Sequence, residues 1–311
     1  MSECVEVVKM EEFKRQQIVY TAMRIFKEKG YFAASMQDIA EACGMAKGSI
    51  YKVFPSKEDL FTGIFVEVHR TFFEEARALD RTLRLEGHPP KEILRRKIVF
   101  QLQFMLENYF FTSEFKDLPI TSNDNFLHEW RKKRADLLAM HHECFHEAYG
   151  EPIVPYLGDT VAIFRGMLKE YLAHAVQAVI AVPMADLGGF LTDRIDAIVG
   201  DLISSRAEPV LKASSAYFND INPLDSSTRQ INIEAFLKFV AVKIEELPQP
   251  ARIREDLREV IDLLQRELEQ PKPSGTLLRV YITFLDTVSD LKPYVHQFSL
   301  MLNHALTQYD K

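Results

Sequence analysis

Residues 35–60, SMQDIAEACGMAKGSIYKVFPSKEDL, predict two short helices joined by a tight turn and followed by the start of a third helix. Ser35 is the expected N-cap of the first, and Asp38, three residues later, is its capping-box partner. Gly44 is expected in the turn, because a positive φ is least costly without a Cβ atom. Ser56 provides a second cap of the same kind. Two helices joined by a glycine-containing turn within about twenty residues indicate a helix-turn-helix, whose second helix enters the DNA major groove.

The second helix, predicted at 46–54, is positively charged although the protein is acidic. The formal net charge of the chain is -7, yet the run between Gly44 and Lys57 contains three cations and no acid. Gly48 has no side chain, so the backbone can approach a base edge or a thymine methyl closely. Lys57 stands at a helix N-terminus, where its ammonium and the free N–H groups can hold one phosphate together. The predicted DNA contacts are Ser35, Gln37, Lys47, Gly48, Ser49, Tyr51, Lys52 and Lys57.

The segment from about Arg15 to Leu60 resembles the DNA-binding domain of the tetracycline-repressor (TetR/AcrR) family of bacterial transcription regulators. The matching positions are, in order, Gly30-Tyr31, Ser35, Asp38-Ile39-Ala40, Gly44, Lys47-Gly48-Ser49-Ile50-Tyr51, Phe54 and Ser56-Lys57-Glu58-Asp59-Leu60. Two positions depart from the family, which usually has serine in place of Ala46 and histidine in place of Val53, both of which commonly help to hold phosphates. The resemblance implies a dimeric, sequence-specific regulator, most simply a repressor that a small-molecule effector releases from a pseudo-palindromic operator.

Helical spacing of apolar residues continues through the rest of the chain, and strand signals are scarce. We therefore expect an all-α protein with three regions. A helix-turn-helix DNA-binding domain is predicted at 1–55, a helical effector-binding and dimerisation domain at 56–206, and additional C-terminal helices at 207–311. By resemblance, helices from Asp159 to Val182 and from Asp186 to Ser205 pack against their twins as a four-helix bundle. The resemblance says nothing about the C-terminal extension.

Composition narrows the class of protein further. Apolar residues make up 47% of the 311 residues, which is ample for a large core. The overall acidity argues against a general DNA coater, because binding then depends on one local basic surface. Three cysteines, odd in number and far apart, are typical of reduced thiols, and the apolar stretch at 171–191 is broken by polar residues and proline. We expect a cytoplasmic protein with no membrane span and no cofactor.

Aromatic and methionine side chains of the middle region are candidates for an effector cavity. Such cavities are mostly apolar with a few polar anchors, which favours an apolar or aromatic small molecule. Phe and Met at helical spacing are more often ordinary core, and that is the competing interpretation. The candidate lining residues are Phe72, Phe104, Met105, Phe111, Trp130, Met140, Phe145, Met167 and Tyr171.

The sequence His142-Glu143-Cys144-Phe145-His146 spells H-E-x-x-H, a helical motif that binds zinc through two histidines and uses the glutamate as a base. With nine histidines in the chain, a chance match is the simpler interpretation, and no second motif supplies a third ligand. No metal site and no catalytic residue is therefore predicted. A zinc-dependent peptidase stays the minor enzyme alternative. The other alternative is a helical interaction protein that acts through the C-terminal extension.

Overall fold

The structure is a computed structural model that describes residues 2–113, 115, 118–211 and 226–306. These residues form α-helices and short 3-10 segments and contain no strand, so the all-α prediction is confirmed. None of the helices in these ranges is long and apolar enough to cross a membrane.

The chain divides into two compact units, Met1–Lys212 and Ala213–Lys311. The α-helices of the first unit are α1 (Ser2–Ala33), α2 (Met36–Ala42), α3 (Lys47–Val53), α4 (Lys57–Leu85), α5 (Pro90–Glu107), α6 (Tyr109–Thr112), α7 (Asp124–Tyr149), α8 (Leu157–Val176) and α9 (Met184–Ser205). Two 3-10 segments, Pro119–Ser122 and Glu151–Tyr156, lie before and after α7. The helices of the second unit are α10 (Ser226–Glu245), α11 (Ala251–Leu268), α12 (Gly275–Asp286) and α13 (Lys292–Leu306).

Local capping interactions define where α2 and α4 begin. The Ser35 hydroxyl accepts a hydrogen bond from the Asp38 N–H at 3.1 Å, and the Ser35 N–H donates to the Asp38 carboxylate at 2.9 Å. The Ser56 hydroxyl accepts from the Asp59 N–H at 3.0 Å. Gly44 lies between α2 and α3 with a φ of 64°, which other residues rarely adopt. The predicted helix-turn-helix is therefore built from interactions between residues close in sequence.

One apolar core joins this helix-turn-helix to the helices that follow it. The Phe61 ring of α4 lies at its centre, 6.0 Å from Phe26 of α1, 5.6 Å from Phe111 of α6 and 6.2 Å from Phe126 of α7, measured between ring centres. Helix α4 therefore contributes one buried ring to the packing of both α1 and α7. The functional boundary between residues 55 and 56 stays a prediction, since the core crosses it.

The helix α8 ends earlier than the sequence predicts, at Val176 instead of Val182. Ala178 adopts a left-handed conformation with a φ of 55°, and the Val179 N–H bonds back to the His174 carbonyl at 2.9 Å. Glycine usually occupies a left-handed position after a helix, so an alanine there leaves no signal in the sequence.

The second unit has a core of its own. Leu237 and Ile244 of α10, Leu257 of α11 and Leu285 of α12 are buried within it, together with Phe298 of α13. A single capping serine, Ser274, begins α12 by accepting from the Leu277 N–H. This region is thus a folded helical unit, as the spacing predicts.

Candidate DNA-binding surface

Helix α3 turns one side to the core and the other to solvent. Ile50 is 0% and Phe54 2% exposed, so both anchor the helix in the core. Lys47, Tyr51 and Lys52 lie on the exposed side. Phe54 follows α3 as its C-cap and its N–H donates to the Ile50 carbonyl at 2.8 Å, which holds the end of the helix against the core. The side of α3 that carries the predicted DNA contacts Lys47, Tyr51 and Lys52 is therefore open to solvent.

The C-terminal end of α3 is held against α4 by a close contact between Phe54 and Gly63. A Cβ atom at Gly63 would lie 2.7 Å from the Cε1 atom of the Phe54 ring, so no larger residue fits without a shift. The guanidinium carbon of Arg15 lies 4.5 Å from the centre of the same ring. Arg15 is exposed and places one more cation beside α3. It is absent from the predicted contacts because it is 39 positions from Phe54 and belongs to no motif.

The exposed end of α3 carries charge and open space together. The Lys47 ammonium lies 5.9 Å from the centre of the Tyr51 ring, which is 40% exposed. A Cβ atom built at Gly48 meets nothing within 4 Å. Packing inside the protein therefore gives no reason for glycine at this position, whereas a close approach to DNA does. Ser49, beside it, is half-buried.

Lys57 is positioned at the start of α4 by an aromatic ring. Its ammonium lies 4.3 Å from the centre of the Tyr31 ring, and the Tyr31 hydroxyl donates to the Glu58 carboxylate at 2.9 Å. Burial lowers the pKa of Lys57, and burial together with Glu58 raises the pKa of Tyr31. Lys57 is half-buried, so its charge has a fixed place beside the first N–H groups of α4.

Ser35 and Gln37 are exposed, but their polar atoms already have partners. The Ser35 hydroxyl donates to the Asp38 carboxylate, and the Gln37 side-chain amide donates to Glu41 at 2.7 Å. Lys29 also donates to Asp38 at 2.9 Å. The hydrogen bonds from Ser35 and Lys29 keep the pKa of the Asp38 carboxyl far below its usual value. A phosphate contact by Ser35 therefore requires the exchange of an internal hydrogen bond, whereas the Gln37 amide has a second N–H group that can donate.

The predicted effector residues do not form one cavity. Phe72, Met140 and Phe145 line an internal cavity of about 20 Å³ between α4, α5, α7 and α8. Phe111 and Trp130 belong to the core around Phe61. The other four pack elsewhere: Phe104 on Phe72, Met105 against Gln101, Tyr171 against Phe190, and Met167 half-buried on α8. The cavity also has polar lining residues that apolar spacing could not reveal, namely Lys97, Gln101, His141 and Cys144.

The H-E-x-x-H stretch lies within α7. In the described parts of the chain, no group of three or more His, Cys, Asp or Glu side chains is placed to hold a metal ion. His142 is half-buried, and the Nε2 atom of His146 lies 3.4 Å from the Glu151 carboxylate. The peptidase alternative therefore gains no support from this geometry.

Known proteins match this chain both in its N-terminal segment and over nearly its whole length. The family model described as bacterial regulatory proteins, tetR family, matches residues 18–64. The chain is 25% identical over 300 residues to the uncharacterized HTH-type transcriptional regulator YerO of Bacillus subtilis, covering 96% of this chain and 97% of YerO. It is 24% identical over 292 residues to YuxN of the same organism, another uncharacterized HTH-type transcriptional regulator, covering 93% of this chain and 97% of YuxN. The solved structure of the fatty acid degradation regulator FadR from Bacillus halodurans covers 58% of this chain and 96% of its own, with 20% identity and a TM-score of 0.47.

The orientation of α3 and the matched segment define a helix-turn-helix transcriptional regulator. Residues 18–64 match the tetR family of bacterial regulatory proteins, and the YerO and YuxN matches support a transcriptional regulator of that family. Regulators of this family bind operator DNA and ligands and act as dimers. Because the YerO and YuxN alignments cover nearly the whole chain, they extend into the second unit.

Proposed function

We propose that this protein is a dimeric repressor that binds a pseudo-palindromic operator and is released from it by an apolar small molecule. The observation that carries the proposal is helix α3, anchored by Ile50 and Phe54 and exposing Lys47, Tyr51 and Lys52. A strongly anchored helix with an acid-free exposed side is suited to insertion into a major groove.

The contacts divide into base readout and phosphate binding. Lys47, Gly48 and Ser49 lie at the start of α3 and are assigned to base edges, because the N-terminal residues of a recognition helix reach the bases. Tyr51, Lys52 and Lys57 are assigned to phosphates. Ser35 adds a phosphate contact after exchange of its internal hydrogen bond, and Gln37 adds one through its second amide N–H group.

We assign dimerisation to α8 and α9. These helices expose Ile163 (37%) and Phe190 (42%), and α9 exposes the small residues Ala197 and Gly200, which allow a second helix to approach closely. A two-fold dimer of this kind places two reading helices on half-sites about 34 Å, or a multiple of that distance, apart.

Release requires an effector that binds better to a conformation with the wrong spacing of the two reading helices, since only such a difference in affinity shifts the equilibrium. Helix α4 is the proposed lever, because it contributes to the core around Phe61 and continues past Phe72 to the internal cavity. The proposed location is the cytoplasm, where bacterial operator DNA lies. No catalytic role is proposed.

A mobility shift with DNA from around the protein's own gene tests this function. We expect salt-dependent binding to one palindrome, and a Lys52→Ala variant is expected to lower the salt slope by about two per dimer, one for each lost phosphate contact. Lys47→Ala and Tyr51→Phe are expected to weaken binding while the melting temperature is unchanged. Lys272→Ala, an exposed lysine of the second unit, is the control. Failure to bind any fragment of the source genome would overturn the proposal.

A further inference from the structure

One side chain, Phe100, separates two openings in the first unit. It lines the internal cavity of about 20 Å³ and also a surface groove of about 380 Å³ formed by α4, α5 and α9. The Phe100 ring is half-buried and stacks on Phe72, with the ring centres 5.6 Å apart and the planes inclined by 20°. Rotation of this ring towards solvent would join the cavity to the groove.

The volumes of the cavity and the groove show that a ligand can be buried here only if the Phe100 ring moves. Small-molecule sites generally occupy about 300–1,000 Å³, and a cavity of about 20 Å³ has room for roughly one water. The internal cavity is therefore too small for an effector while Phe100 is in place. The groove is large enough but open, with Leu79, Val99 and Phe100 among its apolar lining residues. Only the joined space combines sufficient volume with burial.

His141 lines the internal cavity and determines which hydrogen-bonding group a ligand can place there. It is 4% exposed, and its Nε2 atom lies 2.9 Å from the Gln101 carbonyl oxygen Oε1. Gln101 is oriented by its own amide, which donates to the Met105 sulfur at 3.7 Å. Because Oε1 can only accept, Nε2 carries the proton, and Nδ1 is left as an acceptor. Among the described residues this buried Nδ1 has no hydrogen-bond partner.

The unprotonated Nδ1 favours a neutral hydrogen-bond donor as its partner. Burial lowers the pKa of His141 to about 3, and the nearby cations Arg165 and Lys97 contribute, so the ring is neutral at physiological pH. Lys97 is already paired with Asp80 at 3.0 Å. A carboxylate would present lone pairs to the lone pair of Nδ1, whereas a hydroxyl would donate to it. At the outer end, Arg96 is paired with Glu92 at 2.8 Å, and Arg95 also lines the groove.

We propose that the ligand of this site is an elongated apolar molecule with a terminal hydroxyl group, which displaces the Phe100 ring and donates a hydrogen bond to Nδ1 of His141. The inference rests on the proposed function only in treating this ligand as the effector. Binding itself can be measured without DNA.

The test is titration calorimetry of the full chain with 1-octanol and with 1-methoxyoctane, which has a similar chain but no donor. We expect octanol to bind about tenfold more tightly, the usual value of one hydrogen bond. In His141→Phe the two probes should bind equally. If that variant does not fold, Phe100→Trp provides a second test, since the larger ring should weaken octanol binding at least tenfold. Phe284→Trp, the same change at a half-exposed site in the second unit, is its control.

Several results would overturn the site. They are undetectable octanol binding, equal affinity of the two probes for the unaltered protein, a preference that survives in His141→Phe, or unchanged octanol binding in Phe100→Trp. Octanol that binds as expected but does not weaken operator binding would overturn the effector role and leave the site. A protein that binds octanol but no DNA would overturn the proposed function alone.

Discussion

At the scale of single residues, Gly48 distinguishes what DNA requires from what the fold requires. A Gly48→Ala change places a Cβ atom in open space, with nothing within 4 Å. Because glycine inside a helix is destabilising by about 0.5–1 kcal/mol relative to alanine, we expect the variant to be slightly more stable. We also expect weaker operator binding, because the methyl group occupies space assigned to a base edge. Urea unfolding and a mobility shift measure the two effects separately.

The control for this change is Gly275→Ala, which also meets no neighbour within 4 Å but lies in the second unit. It should leave operator affinity unchanged. A Gly48→Ala protein that binds DNA as well as the original would show that the start of α3 does not approach the bases closely.

Two buried histidines make stability depend on pH. Burial lowers the pKa of His69 to about 4 and that of His141 to about 3. The unfolded chain binds protons at these side chains below about pH 6.5 and the folded chain does not, so stability falls as pH decreases from about 6.5 towards 4. At pH 5 each histidine is expected to cost about 2 kcal/mol relative to neutral pH.

Urea unfolding of His69→Gln at pH 7.5 and pH 5 tests this expectation. The difference in unfolding free energy between the two pH values should shrink by about 2 kcal/mol relative to the original protein. The exposed His128 provides the control variant, His128→Gln, whose pH dependence should match the original. An unchanged difference in His69→Gln would contradict the assignment.

At the scale of helices, we expect the contact between Phe54, at the end of α3, and Gly63 of α4 to position α3 for DNA binding. Gly63→Ala brings a methyl group to 2.7 Å from the Phe54 ring, and such overpacking costs about 1–3 kcal/mol. We expect lower stability and weaker operator binding together, measured by urea unfolding and mobility shift. A double variant with Phe54→Leu should recover part of the loss, because the two residues share one contact. Purely additive effects would mean that this contact does not position α3.

The helix-turn-helix could be predicted from sequence because its determinants are local. Ser35 and Ser56 bond N–H groups three residues away, and Gly44 supplies its own backbone conformation. Ile50 is the apolar residue within α3, and the apolar Phe54 follows at its end, so the sequence predicts that both are buried. None of these features requires knowledge of the rest of the chain.

The proposed ligand site was less predictable because the residues that form it are distant in sequence. His141 meets Gln101 across 40 positions, and a polar residue at helical spacing gives no sign that it is buried. Apolar spacing identified Phe72 as buried but could not say that Phe100, beside it, borders both openings. Aromatic residues such as Phe111 have the same spacing whether they fill a core or line a cavity, and here Phe111 fills the core.

At the scale of the whole molecule, the exposed apolar residues of α8 and α9 give dimerisation a direct test. We expect Ile163→Asp to shift the protein towards monomer in sedimentation velocity, because a charge would be buried in the interface. Operator binding should weaken strongly, since two linked half-site contacts become one. Val280→Asp, at an exposed apolar position of α12, is the matched control. A dimer that persists in Ile163→Asp would place the interface elsewhere.

The second unit can be separated from the regulator by truncation after Leu211. Each unit has a core of its own, and the backbone N–H groups of Val210 and Leu211 donate to the Asp159 carboxylate at 2.9 Å each, so this end point keeps the start of α8 tied to the residues after α9. We expect the shortened chain to fold and to bind the operator with unchanged affinity. A chain ending at Ser205 loses both hydrogen bonds and should melt at a lower temperature. Loss of operator binding by the Leu211 chain, with its helical circular dichroism retained, would assign the second unit a direct part in DNA recognition or in holding the dimer together.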